Sequence, residues 1–325
     1  LVKSLETDEH FGVGNNGEIF DVAFGLYAEK ELTAADGTVI PADGLIEIIT
    51  LDENGNGKVK TDLPMGNYYV KEIAANEAYL TSDTKYPVNF EYAGQDTAIV
   101  HLAVNDGEPI ENKLIYGSVS GKKTDEDGKG LGGAVIGIFK TGTEEFTKEH
   151  AILTTTSKDD GSFSFVKVPY GSWIIREVES PKGFVLSEEE IPVTIGKVDE
   201  VVEIELVNEF ITGNIELTKV DKDYPDNKLT GAAFEVFADT NKNGEYDKED
   251  ELLGEMSELG GGIYQMSELR YGKYFVREKT APEGFVLDEN VYTVFIEENG
   301  KTYVVENFRY FRSKPTAAAG KEGNA

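Results

Sequence analysis

Three strands along this 325-residue chain carry a glutamate where an apolar residue is expected. Successive side chains of a strand point to opposite faces. In YYVKE, Tyr68, Val70 and Glu72 therefore share a face, as do Trp173, Ile175 and Glu177 in WIIRE, and Tyr274, Val276 and Glu278 in YFVRE. A Lys or Arg stands on the opposite face just before each acid. The same test on the first and last strands finds two further polar intruders. In GNIELTKVD, Ile215, Leu217 and Lys219 are in phase; in GSVSGKKTD, Val119, Gly121 and Lys123 are, with Lys122 turned the other way. Near the closing ends, Ile204, Leu206 and Asn208 share a face, as do Val305 and Asn307, while Glu203, Glu205 and Glu306 point outward.

Burying an amine, a carboxyl and a carboxamide separately is expensive: several kcal/mol for an unpaired charge and roughly 1–3 kcal/mol for an unsatisfied amide. Together they have a chemistry. Desolvation lowers the pKa of a lysine and raises that of a glutamic acid. The result is a neutral amine able to attack and a protonated carboxyl able to polarise the Asn carbonyl and shuttle protons. Attack on the Asn side chain expels ammonia and leaves a neutral Lys–Asn isopeptide bond. The alternative is a hydrogen-bonded Lys–Glu core pair without covalent closure.

The elements that must position these groups repeat. The three glutamates lie about a hundred residues apart, so the repeating unit is a whole domain. Each copy has an opening strand, then a small-residue and aromatic strand: FDVAFGLY (20–27), GGAVIGIF (132–139) or GAAFEVF (231–237). A short strand and a Gly hinge lead into the Glu strand: MGNYYVKE, YGSWIIRE and YGKYFVRE. SPKGFVL and APEGFVL follow in copies two and three, with the looser ANEAYL in copy one. The copies close on HLAV…PIEN, VEIELVN and TYVVEN. Short runs of Val, Ile, Tyr and Phe between Gly- and Asp-rich turns, without helical periodicity, predict an all-β chain of three tandem antiparallel β-sandwiches. The breaks fall in LIYGSV and FITGNI, giving domains 1–115, 116–211 and 212–312, with 313–325 a disordered or adventitious tail. Such short junctions predict a stiff rod.

These residues resemble the Cna protein B-type, or SpaA-like, domains of Gram-positive surface proteins and pilins. The resemblance rests on the K-x-D openings KTD (123–125) and KVD (219–221), the WIIRE and YFVRE strands with their following PKGF and PEGF, and the terminal Asn of VNEF and VENF. It covers nearly the whole chain to about residue 312. It implies an immunoglobulin-like or prealbumin-like sandwich, with Lys123–Asn208 and Lys219–Asn307 crosslinks and Glu177 and Glu278 as their catalytic acids. Copy one offers Glu72, Asn112 and Lys3, the only lysine on a plausible opening strand, but it has no K-x-D; a Lys3–Asn112 bond is left open.

Composition narrows the function. Sixty-one acids against thirty-one bases give a formal charge of -30, which repels nucleic-acid backbones and anionic membranes. No apolar run reaches membrane-spanning length, and without cysteine there is no disulfide or thiolate metal site. His10, His101 and His150 are scattered, no G-x-S-x-G elbow occurs, and GVGNNG (12–17) precedes a strand rather than a helix. The run DTNKNGEYDKED (239–250) has the spacing of an oxygen-rich Ca²⁺ loop, with Asp239, Asn241, Asn243, Glu245, Asp247 and Asp250 as candidate ligands. The alternative is a solvated acidic hairpin. No cofactor is required otherwise.

The expectation is therefore a non-enzymatic, covalently reinforced stalk or pilin-like segment of an extracellular Gram-positive adhesin. Its partners would be neighbouring domains of a longer surface protein and, through a sortase signal outside this fragment, peptidoglycan. A second expectation is an adhesin module gripping a host protein or glycan through copy one, whose insertions (10–18 and 28–48) break the repeat. A third, an enzyme or carbohydrate module, would need a cleft that the sequence does not display.

Overall fold

Alternating apolar residues and left-handed turn glycines produce a chain of short strands, with two brief 3-10 turns the only helical elements among the described residues. The computed structural model describes all residues except 35, 98–99, 306–308 and 311–325. No helix in it is long and apolar enough to cross a membrane. The fold is all-β and repeats three times.

Each repeat contains one four-stranded antiparallel sheet with the glutamate strand inside it. The orders are Leu45–Thr50, Ala23–Ala28, Gly66–Ala74, Tyr86–Phe90; then Leu153–Thr156, Val135–Lys140, Gly171–Glu179, Ile191–Ile195; then Glu251–Glu255, Ala233–Ala238, Gly272–Thr280, Val291–Ile296. The other sheet holds the opening and closing strands. In repeat one Lys3–Leu5 runs parallel to Ile110–Asn112. In repeat two Tyr116–Asp125 lies between Ser162–Pro169 and Val201–Asn208. In repeat three Thr212–Thr218 lies between Ile263–Arg270 and the parallel Thr302–Val305. The HLAV part of the expected closing strand of repeat one is not a strand. Val104–Gly107 forms a 3-10 turn, with Asn105 and Asp106 at positive φ. EIFD, read as the start of a strand, is likewise a 3-10 turn at Glu18–Asp21 ahead of Ala23–Ala28.

The chain packs as two compact units. One comprises Leu1–Lys122, Val135–Val178 and Glu188–Leu206; the other comprises Lys123–Ala134, Glu179–Ser187 and Val207–Ala325. In the first, Phe24, Leu26, Ile49, Tyr68 and Val70 form the core of repeat one. In the second, Ile215, Leu217, Phe234, Val236, Tyr274 and Val276 do the same for repeat three.

The glutamate strand is anchored alike in every copy. The ring four residues before the acid is buried, and its polar tip donates to the carbonyl four residues further back: Tyr68 to Pro64, Trp173 to Pro169, Tyr274 to Arg270. Such a bond satisfies the one polar atom of a buried ring.

Both junctions between repeats are built by the same three backbone hydrogen bonds. At the first, Leu80 N–H donates to Lys113 O (2.9 Å), Ile115 N–H to Ala78 O (2.8 Å) and Tyr170 N–H to Ile115 O (2.8 Å). At the second, Val185 donates to Glu209 (2.9 Å), Ile211 to Gly183 (3.0 Å) and Tyr271 to Ile211 (2.8 Å). In hydrogen exchange these six amides should show the protection of strand amides; exchange as fast as in an open loop would mean that the junctions are not formed.

Candidate functional site

In each repeat the acid is set by its strand. Glu72, Glu177 and Glu278 are buried, at 6%, 1% and 4% exposure, on the same face as the apolar residues two and four positions before them. Lys3, Lys123 and Lys219 are buried as completely, at 3%, 0% and 0%. Strand phase puts them there: exposure alternates along Thr212–Thr218, and Lys219 continues the buried set of Ile215 and Leu217.

Repeat one brings all three of its candidates together. The register places Lys3 opposite Ile110 and Leu5 opposite Asn112. Lys3 Nζ donates to the carbonyls of Ile110 (3.0 Å) and Ser4 (3.1 Å) and lies 3.9 Å from Glu72 Oε1. Asn112 Nδ2 donates to that same oxygen at 2.8 Å. Burial pulls the Lys3 amine down to about 8, against the opposing charges of Glu72 and Glu111.

In repeat two, Lys123 Nζ donates to Asn208 Oδ1 at 2.7 Å with both residues buried. Glu177 is buried on Gly171–Glu179. In repeat three, Lys219 Nζ donates to Glu278 Oε1, in an ion pair whose side chains are both fully buried, beneath the Phe234 ring at 5.6 Å. Burial pulls the Lys219 amine down to about 8. Burial also pushes the Glu278 carboxyl above its ordinary range, against the Asp288 amide and the Lys219 ammonium, which pull it down. Asn307 lies outside the described residues.

Sequence reading missed how the acid is held from behind. One oxygen of the carboxyl faces the reacting groups, while the other accepts the backbone N–H of the residue ten positions on. Ser82 N–H reaches Glu72 Oε2 at 3.3 Å, and Asp288 N–H reaches Glu278 Oε2 at 2.8 Å. The available signal was the recurrence of a turn after AYL or FVL, whose Leu lies eight residues past Glu72 and nine past Glu177 and Glu278.

The calcium loop is a correction. Among the described residues no group of three or more His, Asp or Glu side chains converges to hold a metal ion. The oxygens that spacing would aim at a cation are spent inside the loop. Asp247 accepts the side-chain amides of Asn243 (2.6 Å) and Asn241 (3.2 Å) and the Glu249 N–H (2.7 Å). Asn241 and Asn243 oxygens accept the N–H groups of Asn243 (3.0 Å) and Glu245 (2.8 Å), while Asp239 Oδ2 accepts Gly244 N–H (3.0 Å) and Asp250 Oδ2 accepts Asp247 N–H (2.8 Å). Within the loop, whose residues are all described, only the Asp239 and Asp250 Oδ1 atoms are buried without a hydrogen bond, two oxygens where calcium takes six to eight. The loop packs instead. Tyr246 sits edge-on to Phe237 (5.0 Å) and Phe275 (5.8 Å) on the outer face of the sheet, with Arg277 5.7 Å from its ring.

Tandem β-sandwiches with an internal amine beside a carboxyl or a carboxamide define the class of protein. The chain belongs to the family of SpaA prealbumin-like fold domains, whose model matches residues 4–104, 117–209 and 213–308. The Bacillus anthracis TIE protein is similar, at 22% identity and a TM-score of 0.60. The match covers 96% of this chain and 50% of that one, so this chain spans half the length of that relative. BcpA, the major pilin subunit of Bacillus cereus, is 20% identical with a TM-score of 0.38, over 96% of this chain and 98% of that one. A streptococcal ancillary pilin is 19% identical with a TM-score of 0.29, also over 96% and 98%. No curated protein matches the chain.

Two outcomes follow for the loop. At a hundred times a dissociation constant, calcium would add about 2.7 kcal/mol to stability; millimolar calcium or a chelator should leave the melting temperature where it is. Tyr246→Ala should cost about 2 kcal/mol in a denaturant titration, since it uncovers Phe237 and Phe275.

Proposed function

We propose that this chain is a load-bearing, pilin-like stalk segment of a Gram-positive surface protein, each repeat of which is closed by a Lys–Asn isopeptide bond of its own making. Three domains, with breaks near residues 115 and 212, are the units of closure. The bonds are Lys123–Asn208, Lys219–Asn307 and Lys3–Asn112, with Glu177, Glu278 and Glu72 as the acids. The single observation that carries this reading is the buried Lys123 amine 2.7 Å from the Asn208 carboxamide oxygen.

The chemistry balances without a cofactor. The neutral Lys Nζ attacks Cγ of the Asn while the protonated Glu donates to the carboxamide oxygen. The Glu carboxylate then takes a proton from the Lys nitrogen and passes it to the departing nitrogen, and recovers its own proton from the oxygen as the carbonyl reforms. One C–N bond forms, one breaks, and ammonia departs. Each site turns over once, so the protein is substrate and catalyst together.

Closing opening strand to closing strand shuts a loop of 85 residues in repeat two. By analogy with a disulfide over such a loop, that contributes about 4 kcal/mol. Tension entering at one end of a repeat then passes through the amide and leaves the sheets unloaded. Family membership supports a surface address, and attachment to peptidoglycan would belong to the longer protein. A second reading, a host-ligand site on repeat one, draws on Val39 (56% exposed), Leu45 (50%) and Ile48 (54%) on and beside its 28–48 insertion. Immobilised extracellular-matrix proteins and glycans that bind neither repeat one nor the whole chain would remove it. Phe11, in the other insertion, is buried against Trp173 at 4.8 Å.

Intact mass spectrometry tests the main reading. The mass should fall short of the sequence by one ammonia per closed repeat, and Glu72→Ala, Glu177→Ala and Glu278→Ala should each restore one. A full sequence mass would sink the covalent mechanism.

A further inference from the structure

The turn behind Glu278 differs from its counterparts in a way that bears on the proton. Ten residues after the acid, repeats one and two carry Ser82 and Ser187, whereas repeat three carries Asp288. Its carboxylate is fixed on both oxygens. Oδ1 accepts the backbone N–H (3.0 Å) and side-chain amide (2.6 Å) of Asn290, and Oδ2 accepts the Tyr292 hydroxyl at 2.7 Å. In repeat one the equivalent position is a neutral hydroxyl, with Ser82 Oγ and Thr84 Oγ1 2.7 Å apart, and the adjacent Asp83 is paired with Lys71 at 2.7 Å.

We propose that Asp288 is a positioning residue for closure of repeat three: its backbone N–H orients the Glu278 carboxyl, and its fixed negative charge drives the Lys219–Glu278 pair toward the uncharged form that reacts. The proposal rests on the isopeptide reading of this site. Its geometric basis is the split use of the carboxyl. Glu278 Oε1 faces Lys219, and Oε2 faces Asp288 at 2.8 Å from the Asp288 nitrogen, so Asp288 stands on the side of the acid away from the amine. A negative charge there repels an ionised Glu278 and attracts a protonated Lys219, so it raises both the acid and the amine. Because its backbone sits directly against the acid, we take the repulsion of Glu278 to be the larger of the two. Moving the proton from amine to acid relieves that repulsion, and the products are the neutral nucleophile and the protonated acid. The Asp288 N–H bond alone acts oppositely, favouring the carboxylate; the side-chain charge counters it. The other titratable groups facing Glu278 are Lys219 and the phenols of Tyr264 and Tyr292. Burial and the surrounding negative charge hold Tyr292 well above the ordinary phenol range, and burial also raises Tyr264. At neutral pH both are therefore uncharged, leaving Asp288 as the charge that sets this balance from behind.

The test is the pH dependence of closure in the whole chain. Protein recovered unfolded from inclusion bodies is refolded by dilution across about pH 5 to 9, and ammonia loss in the Lys219–Asn307 peptide is followed by mass spectrometry. Asp288→Ser, which keeps the backbone N–H, should lower the plateau rate by up to about tenfold and shift both limbs of the profile to lower pH, a factor of ten corresponding to one unit of pKa. A purely structural role would lower the yield without moving the limbs. If the serine variant does not fold, Asp288→Asn, of the same shape, is read in the same way. Ser82→Asp should produce the opposite shift in repeat one. An Asp288 variant that closes with the wild-type profile overturns the proposal and leaves the crosslink standing. Wild-type protein that folds and keeps its full mass overturns the crosslink, and the role of Asp288 with it.

Discussion

A lysine amine without water is the constraint on which the rest of each repeat depends. Lys3, Lys123 and Lys219 have lost their hydration to the core, and an ammonium left alone there would cost several kcal/mol. Every neighbouring feature answers that demand. Opening and closing strands run side by side, so that Lys3 finds the Ile110 carbonyl and Lys123 the Asn208 carboxamide. The facing sheet delivers an acid to Lys3 and Lys219. A buried ion pair is a poor way to gain stability, since well-packed apolar residues do as well or better. Keeping such groups through three copies makes sense when their product is a neutral amide and the charges are a temporary expense of folding.

The outer face of the glutamate sheet solves a different problem, and it explains why the loop at 239–250 imitates a metal site. Arg176 and Arg277, on the strand face opposite the acid, lie over rings that sit on ring-bearing sheets: Phe146 (4.6 Å), itself edge-on to Phe139, and Tyr246 (5.7 Å). In repeat one the Tyr27 and Tyr69 rings stack at 5.0 Å, with Lys85 4.1 Å from the second. The loop after the second strand in repeats two and three thus carries an aromatic anchor and must turn sharply to seat it. In repeat three Asn241, Asn243 and Asp247, at alternate positions, make those turns by bonding to backbone N–H groups two residues on. Calcium loops use the same residues for the same bends, so local spacing alone does not separate a loop that encloses an ion from one that closes on itself.

Period-two phase made most of the site legible. It put Glu72, Glu177 and Glu278 on the buried face and did the same for Lys123, Lys219 and Asn208, because a central strand allows no other outcome once its apolar partners are fixed. Lys3 was harder to read, for it lacks the K-x-D spacing; what places it is its register against Ile110–Asn112, a long-range pairing with no local mark. The backbone donors from Ser82 and Asp288 escaped for a similar reason. A backbone N–H has no residue type, so only the turn geometry aims it at the acid. HLAV was misread because its alternation is that of a strand, while Asn105 and Asp106 at positive φ break the run just after it.

The placement of the three groups also orders folding and chemistry. In repeat one the amine and the carboxamide sit on adjacent parallel strands, while the acid comes from the opposite sheet. In repeat three the acid likewise lies on Gly272–Thr280, in a sheet other than that of Thr212–Thr218, which leads into Lys219. In repeat one, strand pairing alone therefore assembles the proposed nucleophile and electrophile without their acid, and an amine still in water at that stage would be protonated and inert. Only when the two sheets pack does the core dry, which pulls the amine down and pushes the Glu278 carboxyl up, the direction the proposed reaction needs. The proposed closure is thereby conditional on a correctly registered sandwich. A slip of one residue would turn every one of these side chains outward, and a misfolded repeat would stay open to refold. The proposed bond thus records a native fold already reached and does not select it, and a crosslink intended to carry load gains most from that order of events.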